Sequence, residues 1–218
     1  GFPDNPGGWL QPVAEVVRRA GGLLICDEVQ SGFGRTGTHM WAHEKMGVVP
    51  DVIVLGKPMA NGHPVGGVVA NGDIVAAFRK GYRYFNTFGG NPVSCAAAMA
   101  VLEEIEDKQL VANAHAVGVH ARERLQKLAD RHEAIGNVRG SGLIFGAEMV
   151  TDRSTKAPAS AFTDRVINAL RHRGIILSKL GRHKNTLKIR PPMPFSKENA
   201  DLLIDTLDSV LNDTPLRP

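Results

Sequence analysis

Short apolar runs alternate with longer mixed stretches along the first half of the chain. Leu23-Leu24-Ile25-Cys26, Val52-Ile53-Val54-Leu55 and the stretch from Val65 to Ala70 are too short for helices and sit between turn formers, so they predict buried strands. A helix is predicted near Pro12 to Ala20, and helical or loop connections separate the strands, as at the end of a largely parallel α/β sheet. After Asn91 an Ala-rich run to about Glu106 leads into a second helix from about Gln109 to Arg131, a pair that reads as the hinge to a smaller lobe. Beyond Ile135, Val138 with Leu143 to Met149, Ile175 to Leu177 and Leu187 to Ile189 predict strands. Ala159 to Arg173 and Lys197 to Leu211 carry helical apolar spacing. Ser196 before the last helix is a partial capping pattern, because Glu198 stands one place early for a capping box. The chain is thereby divided into residues 1–108 and 109–218.

Two strand ends carry candidate chemistry. Lys57 follows Val52 to Leu55 within Leu55-Gly56-Lys57-Pro58-Met59-Ala60-Asn61-Gly62. A lysine there, ringed by small residues, stands where a low-dielectric site turns an amine into a nucleophile toward a carbonyl. The same segment also reads as a surface lysine in a β-turn. Leu23 to Cys26 delivers Asp27-Glu28-Val29-Gln30 at its carboxyl end, where open α/β sheets bind ligands. An aspartate beside the pyridine nitrogen of pyridoxal phosphate keeps that nitrogen protonated, and a Schiff-base lysine paired with such an acid is that cofactor's signature. Gln30 can hydrogen-bond the ring's phenolic oxygen. Asp27 alone reads equally as a loop acid or helix cap.

Together, Asp27-Glu28-Val29-Gln30-Ser31-Gly32-Phe33-Gly34-Arg35-Thr36-Gly37, Gly56 to Gly62, and Asn86-Thr87-Phe88-Gly89-Gly90-Asn91-Pro92 resemble the class III (ornithine/ω-amino acid) aminotransferases, over essentially the whole chain. Lys57 to Val65 and Leu187-Lys188-Ile189-Arg190-Pro191-Pro192-Met193 resemble the branch holding the alanine-glyoxylate aminotransferase-2-like proteins and the phospho-lyases acting on phosphoethanolamine and phosphohydroxylysine. The resemblance implies an α/β fold of type I, with part of a mostly parallel large-domain sheet and a smaller carboxyl-terminal α/β domain. It implies pyridoxal 5'-phosphate as cofactor, Lys57 as its Schiff-base lysine and proton shuttle, Asp27 as partner of the pyridinium nitrogen, and Gln30 near the phenolic oxygen. Thr87 is implied to reach the cofactor phosphate of a neighbouring subunit, hence a homodimer with shared active sites. A hydroxyl beside two glycines and a helix start near Pro92 suit phosphate, although the helix also starts there for structural reasons.

The family places an arginine for the substrate carboxylate three residues before Pro-Pro; here that residue is Lys188, with Arg190 two places later. Period-two geometry puts Lys188 and Arg190 on one strand face, so either cation can meet a carboxylate or a phosphate, or remain solvated. The implied reaction is transfer of an amino group from an amine or amino acid to a 2-oxo acid. The alternatives are elimination of phosphate from a phosphorylated amine and a non-catalytic or truncated protein. The chain resembles only the carboxyl half of such an enzyme: the glycine-and-hydroxyl phosphate cup, the ring-stacking aromatic residue and an amino-terminal substrate segment are expected elsewhere. Gly1 to Leu10 read as a mid-protein loop.

Composition fits a cytoplasmic enzyme. The 218 residues are 43% hydrophobic, enough for a substantial core, and a net charge of +4 without basic blocks argues against nucleic acid. Cys26 and Cys95, in apolar or Ala-rich surroundings, read as reduced core thiols. No signal-like start or membrane-length apolar run is present. Gly32 to Gly37 spell a dinucleotide fingerprint, but Asp27 to Gln30 separate it from the strand. His39 and His43, with Glu44 beside them, have metal-ligand spacing but no third ligand, and read as a surface or loop pair. Gly140-Ser141-Gly142 reads as a turn between strands.

Overall fold

The computed structural model describes residues 8–216, so the loop expected over Gly1 to Leu10 falls largely outside the described residues. The chain divides into two compact units, one up to Val111 and one from Ala112 onward.

In the first unit, α1 (Leu10–Arg19) buries Ala14 in a small core with Leu24 and Val48, against which Leu10, Cys26 and Met46 pack. β1 (Ile25–Asp27) lies parallel to β2 (Val52–Leu55), pairing Ile25 with Val52 and Asp27 with Val54. Asp51 sets that register: its backbone N–H donates to the Leu24 carbonyl at 2.9 Å, and its carboxylate accepts from the Leu24 N–H at 2.8 Å. α2 (Ala42–Lys45) lies between them in sequence. β3 (Gly67–Ala70) runs antiparallel to β2, so this sheet holds one parallel and one antiparallel pairing. α3 (Gly72–Gly81), which has no buried residue, and α4 (Pro92–Asp107) complete the unit.

The strands are less buried than their apolar runs predict. β2 is half-buried throughout, and Leu23, Ile25, Val68 and Val69 are exposed. Among the described residues the sheet has three strands, and the helices of this unit leave much of it uncovered. Cys95 is likewise exposed rather than a core thiol; it lies on a helix that carries apolar side chains around its circumference, with Val93, Met99 and Leu102 also exposed.

The second unit closes on itself. α5 (Leu110–Arg131), β4 (Ile135–Ser141), β5 (Ile144–Asp152), β6 (Ala157–Pro158), α6 (Ser160–His172), β7 (Ser178–Leu180), β8 (Thr186–Ile189) and α7 (Lys197–Asp213) follow in order. The antiparallel sheet runs β4-β5-β8-β7, with β6 beside β5. Leu125, Phe145, Met149, Val166, Leu170, Leu187 and Leu207 are fully buried in one cluster. Gly118 lets α5 approach the β4–β5 turn at backbone distance, since a Cβ there would lie 2.2 Å from the Gly142 oxygen. Ser196 caps α7, its Oγ accepting from the Asn199 N–H at 3.2 Å. The strand expected over Ile175 to Leu177 begins later, at Ser178. Gly174 takes a left-handed φ of 80° and Ile175 N–H donates back to Leu170, so these residues are used in ending α6, and Ile176 is 87% exposed. Among the described residues no helix is long and apolar enough to cross a membrane.

Candidate active site

Because β1 and β2 are parallel and in register, Asp27 and the Gly56-Lys57 turn leave the same end of the sheet on adjacent strands. The Glu28 N–H donates to the Val54 carbonyl at 2.9 Å, which carries the pairing one rung beyond Asp27. Asp27 is exposed, and its Oδ1 accepts from the Val29 N–H at 2.9 Å. Gln30 is exposed in the turn that follows.

Lys57 opens a 3₁₀ turn, Lys57–Ala60, with an unusual left-handed φ of 41°; Asn61 closes it at 48°. Such a conformation is costly for a residue with a side chain and is commonest at functional turns. Lys57 is exposed, not enclosed as the sequence suggests, because only Ala60 of this turn is buried. The amine is therefore presented at the sheet end, but the low-dielectric wall is not built by this unit.

Thr87 is also exposed. Its loop is shaped by Asn86, whose Oδ1 accepts from the N–H groups of Phe88 at 3.2 Å and Gly89 at 3.0 Å. Asn91 then caps α4: its Oδ1 accepts from the Ser94 N–H at 2.9 Å, and its Nδ2 donates to the Phe88 carbonyl at 2.8 Å. Buried Ser94 meets both Asn91 Nδ2 at 2.9 Å and His63 Nε2 at 2.8 Å. That contact ties the Thr87 loop to the segment that begins with Lys57. His63, Asn86, Phe88, Gly89, Gly90 and Asn91 line a cavity of 420 Å³ beside it.

On the opposite side of the Asp27 strand end, Glu28 is 1% exposed. Its Oε1 accepts from the His43 N–H at 2.8 Å and meets His43 Nδ1 at 2.9 Å, while Oε2 accepts from Ser31 Oγ at 2.7 Å. His43 is therefore buried in this pair and is not the surface or loop residue expected. Burial, with Glu28 nearby, pushes the half-buried Cys26 thiol up. Gly32 to Gly37 form turns rather than opening a helix, and Phe33 is buried edge-on against Trp41, ring centroids 5.0 Å apart. Period-two alternation from Asp27 was the signal available for Glu28; the i,i+4 spacing of His39 and His43 singled out His43 for a metal role it does not have here, and no spacing rule pointed to His63 or Ser94.

In the second unit, half-buried Lys188 lies on β8, paired with Gly146 on one side and Ser178 on the other, and exposed Arg190 follows the strand. Both line one cavity of 490 Å³, with Ser178, Pro191, Pro192 and Asn199 also in its wall. The structure thus brings Asp27, Gln30 and Lys57 to one sheet end and links the Thr87 loop to the lysine segment, and within the second unit it gathers Lys188 and Arg190 around one cavity.

Residues 1–211 match the class-III aminotransferase family. An alanine–glyoxylate aminotransferase 2-like protein of Drosophila melanogaster is 47% identical over 199 residues, covering 90% of this chain and 40% of the relative. An alanine–glyoxylate aminotransferase 2 homolog of Arabidopsis thaliana, named as mitochondrial, is 44% identical, covering 92% of this chain and 42% of its own length. Among solved structures, a phospholyase from Arthrobacter in complex with phosphoethanolamine superposes with a TM-score of 0.94 at 44% identity, over 97% of this chain and 50% of that one. The chain spans half or less of the length of these relatives. Sequence motifs, the α/β architecture and these matches agree: this chain belongs to the class-III aminotransferase family, fold type I.

Proposed function

We propose that this chain carries the catalytic lysine of a pyridoxal-phosphate-dependent aminotransferase that moves an amino group from an amine or amino acid to a 2-oxo acid. The observation that carries the reading is the placement of Asp27 and Lys57 at the same end of two paired parallel strands. The donor set fits the cofactor: an amine, a carboxylate one strand away, and a hydroxyl in a glycine loop at a helix N-terminus. Pyridoxal phosphate, when bound, supplies an aldehyde that captures amines and a ring that takes up electrons. Lys57 would hold the cofactor and would then serve as the base that moves the proton at the carbon bearing the substrate nitrogen. Asp27 would keep the ring nitrogen protonated, Gln30 would hydrogen-bond the phenolic oxygen, and Thr87 would hold the cofactor phosphate of a neighbouring subunit in a homodimer. Lys188 and Arg190 take the anionic end of the substrate.

In this reading the unit up to Val111 is the carboxyl part of the large cofactor domain, and the unit from Ala112 is the small domain. The free thiols suit a reducing compartment, and we assign the cytoplasm; the mitochondrial name of the Arabidopsis relative makes import the alternative. A second reading, elimination of phosphate from a phosphorylated amine, is favoured by the likeness to the Arthrobacter phospholyase and by two cations around one cavity.

One experiment separates the two readings. Full-length, cofactor-loaded protein receives alanine or phosphoethanolamine without any 2-oxo acid, and the visible cofactor band is followed together with phosphate release. An aminotransferase loses the band after one equivalent and stops. Continuous phosphate release with the band retained would reject aminotransfer in favour of elimination. Lys57→Ala should abolish the borohydride-trapped adduct, and trapping at wild-type stoichiometry would move the attachment point elsewhere.

A further inference from the structure

Residue 28 is held from every side. Its N–H makes the last rung to β2 through Val54, its carbonyl accepts from the Gly32 N–H at 3.0 Å, and its buried carboxylate receives the donors of Ser31 and His43. A carboxylate taken out of water is costly unless its lone pairs are met, and here Ser31 in the turn after β1 and His43 on α2 meet them. The loop therefore closes on Glu28. The exposed neighbours Asp27 and Gln30 belong to the same turn, so the backbone that aims them is the backbone this carboxylate anchors. A Cβ on Gly32 would lie 2.9 Å from the Glu28 oxygen and 2.9 Å from the Trp41 ring, which leaves little room for the turn to shift.

We propose that Glu28 and His43 are positioning residues: the buried pair fixes the Asp27 to Gln30 turn and thereby the placement of the Asp27 carboxylate against the cofactor's ring nitrogen. This rests on the proposed pyridoxal-phosphate reading. His43 suits the task because two donors of one residue, its N–H and Nδ1, meet the same carboxylate oxygen. An apolar ring at position 43 keeps the bulk but leaves Oε1 with only the backbone donor.

The test uses full-length, cofactor-loaded protein and reads three quantities: cofactor dissociation, the pH midpoint of the visible cofactor band, and apoprotein melting. His43→Phe is expected to weaken cofactor binding about tenfold and to move the midpoint in the direction that Asp27→Ala moves it. His43→Asn, which restores a side-chain donor, and Glu28→Gln, whose amide can bond Ser31 and His43, are expected to stay within about twofold of wild type. A purely structural role would lower melting while leaving dissociation and midpoint unmoved, and would overturn the proposal. So would an Asn variant that behaves like Phe. If His43→Phe does not fold, Ser31→Ala removes one donor and carries the test: a smaller change in the same direction supports the proposal, and none overturns it. If wild-type protein traps no cofactor at Lys57, the functional reading itself fails. Trapping at Lys57 with an Asp27-sensitive midpoint that His43→Phe leaves alone sinks only the positioning role.

Discussion

From Ala112 onward the chain buries a continuous apolar cluster reaching from Ala114 to Leu211, and its exposed large apolar residues are Ile176 and Leu202. The unit up to Val111 gathers Ala14, Leu24 and Val48 into its small core and leaves Ile25, Val68, Val69, Phe78, Tyr82, Tyr84 and Phe85 exposed. Burial of apolar surface is the main term that holds a small fold together, so the two units differ in how far each can stand alone. The proposed cofactor residues Asp27, Gln30, Lys57 and Thr87 all lie in the less enclosed unit. The proposed site thus lies on the unit whose apolar surface this chain leaves exposed, and the continuous apolar cluster lies in the other.

The contrast is broken most severely by separating the units. Residues 112–218 made alone should melt cooperatively by circular dichroism, and residues 1–111 alone should show no cooperative transition. A sigmoidal melt from the latter would remove the distinction. Within the intact chain, Leu207→Ala should cost about 2–5 kcal/mol in urea unfolding, because the leucine is fully buried in the cluster. Val68→Ala, on the exposed sheet face, should change stability by no more than about 0.5 kcal/mol.

Acid provides the smallest and most local effect. Hydrogen bonds from Arg124 and then His120 hold the Asp201 carboxyl below its ordinary value. For Asp208, burial opposes the charge, but His132 and Arg131 outweigh it and the carboxyl also lies low. These contacts join α5, with His132 just beyond its end, to α7. Asp152, held by Ser154 and Thr155, is lowered to about 2. A lowered carboxylate stabilises the fold above its unfolded value, near 3.8, and that contribution is lost as pH falls through the folded value. Asp208→Asn should therefore lower the melting temperature near neutral pH, with the difference from wild type shrinking as pH falls from about 5 toward 2. A difference independent of pH would show that the carboxylate's charge is irrelevant to the α5–α7 contact.

Much of the fold was legible because periodicity reports which residues face a core. β2 and the helices α5, α6 and α7 fall where the apolar spacing puts them, within a few residues. α3 left little signal, having no buried face of its own. β7 was displaced because the chain after Gly174 first completes a helix end, a backbone requirement that apolar residues do not announce. At the candidate site, strand-end polar residues were visible in the sequence, but the exposure of Lys57 and the burial of His43 were not. Burial depends on which distant segments cover a residue: His43 meets Glu28 fifteen positions away.

Ser94 has a mechanical consequence. By holding His63 with one contact and Asn91 with another, it couples the segment after Lys57 to the loop containing Thr87. The two loops are thereby expected to shift together rather than as two independent bodies. A spectroscopic label placed on either should report the motion of both, and Ser94→Ala should uncouple the two signals without touching either label.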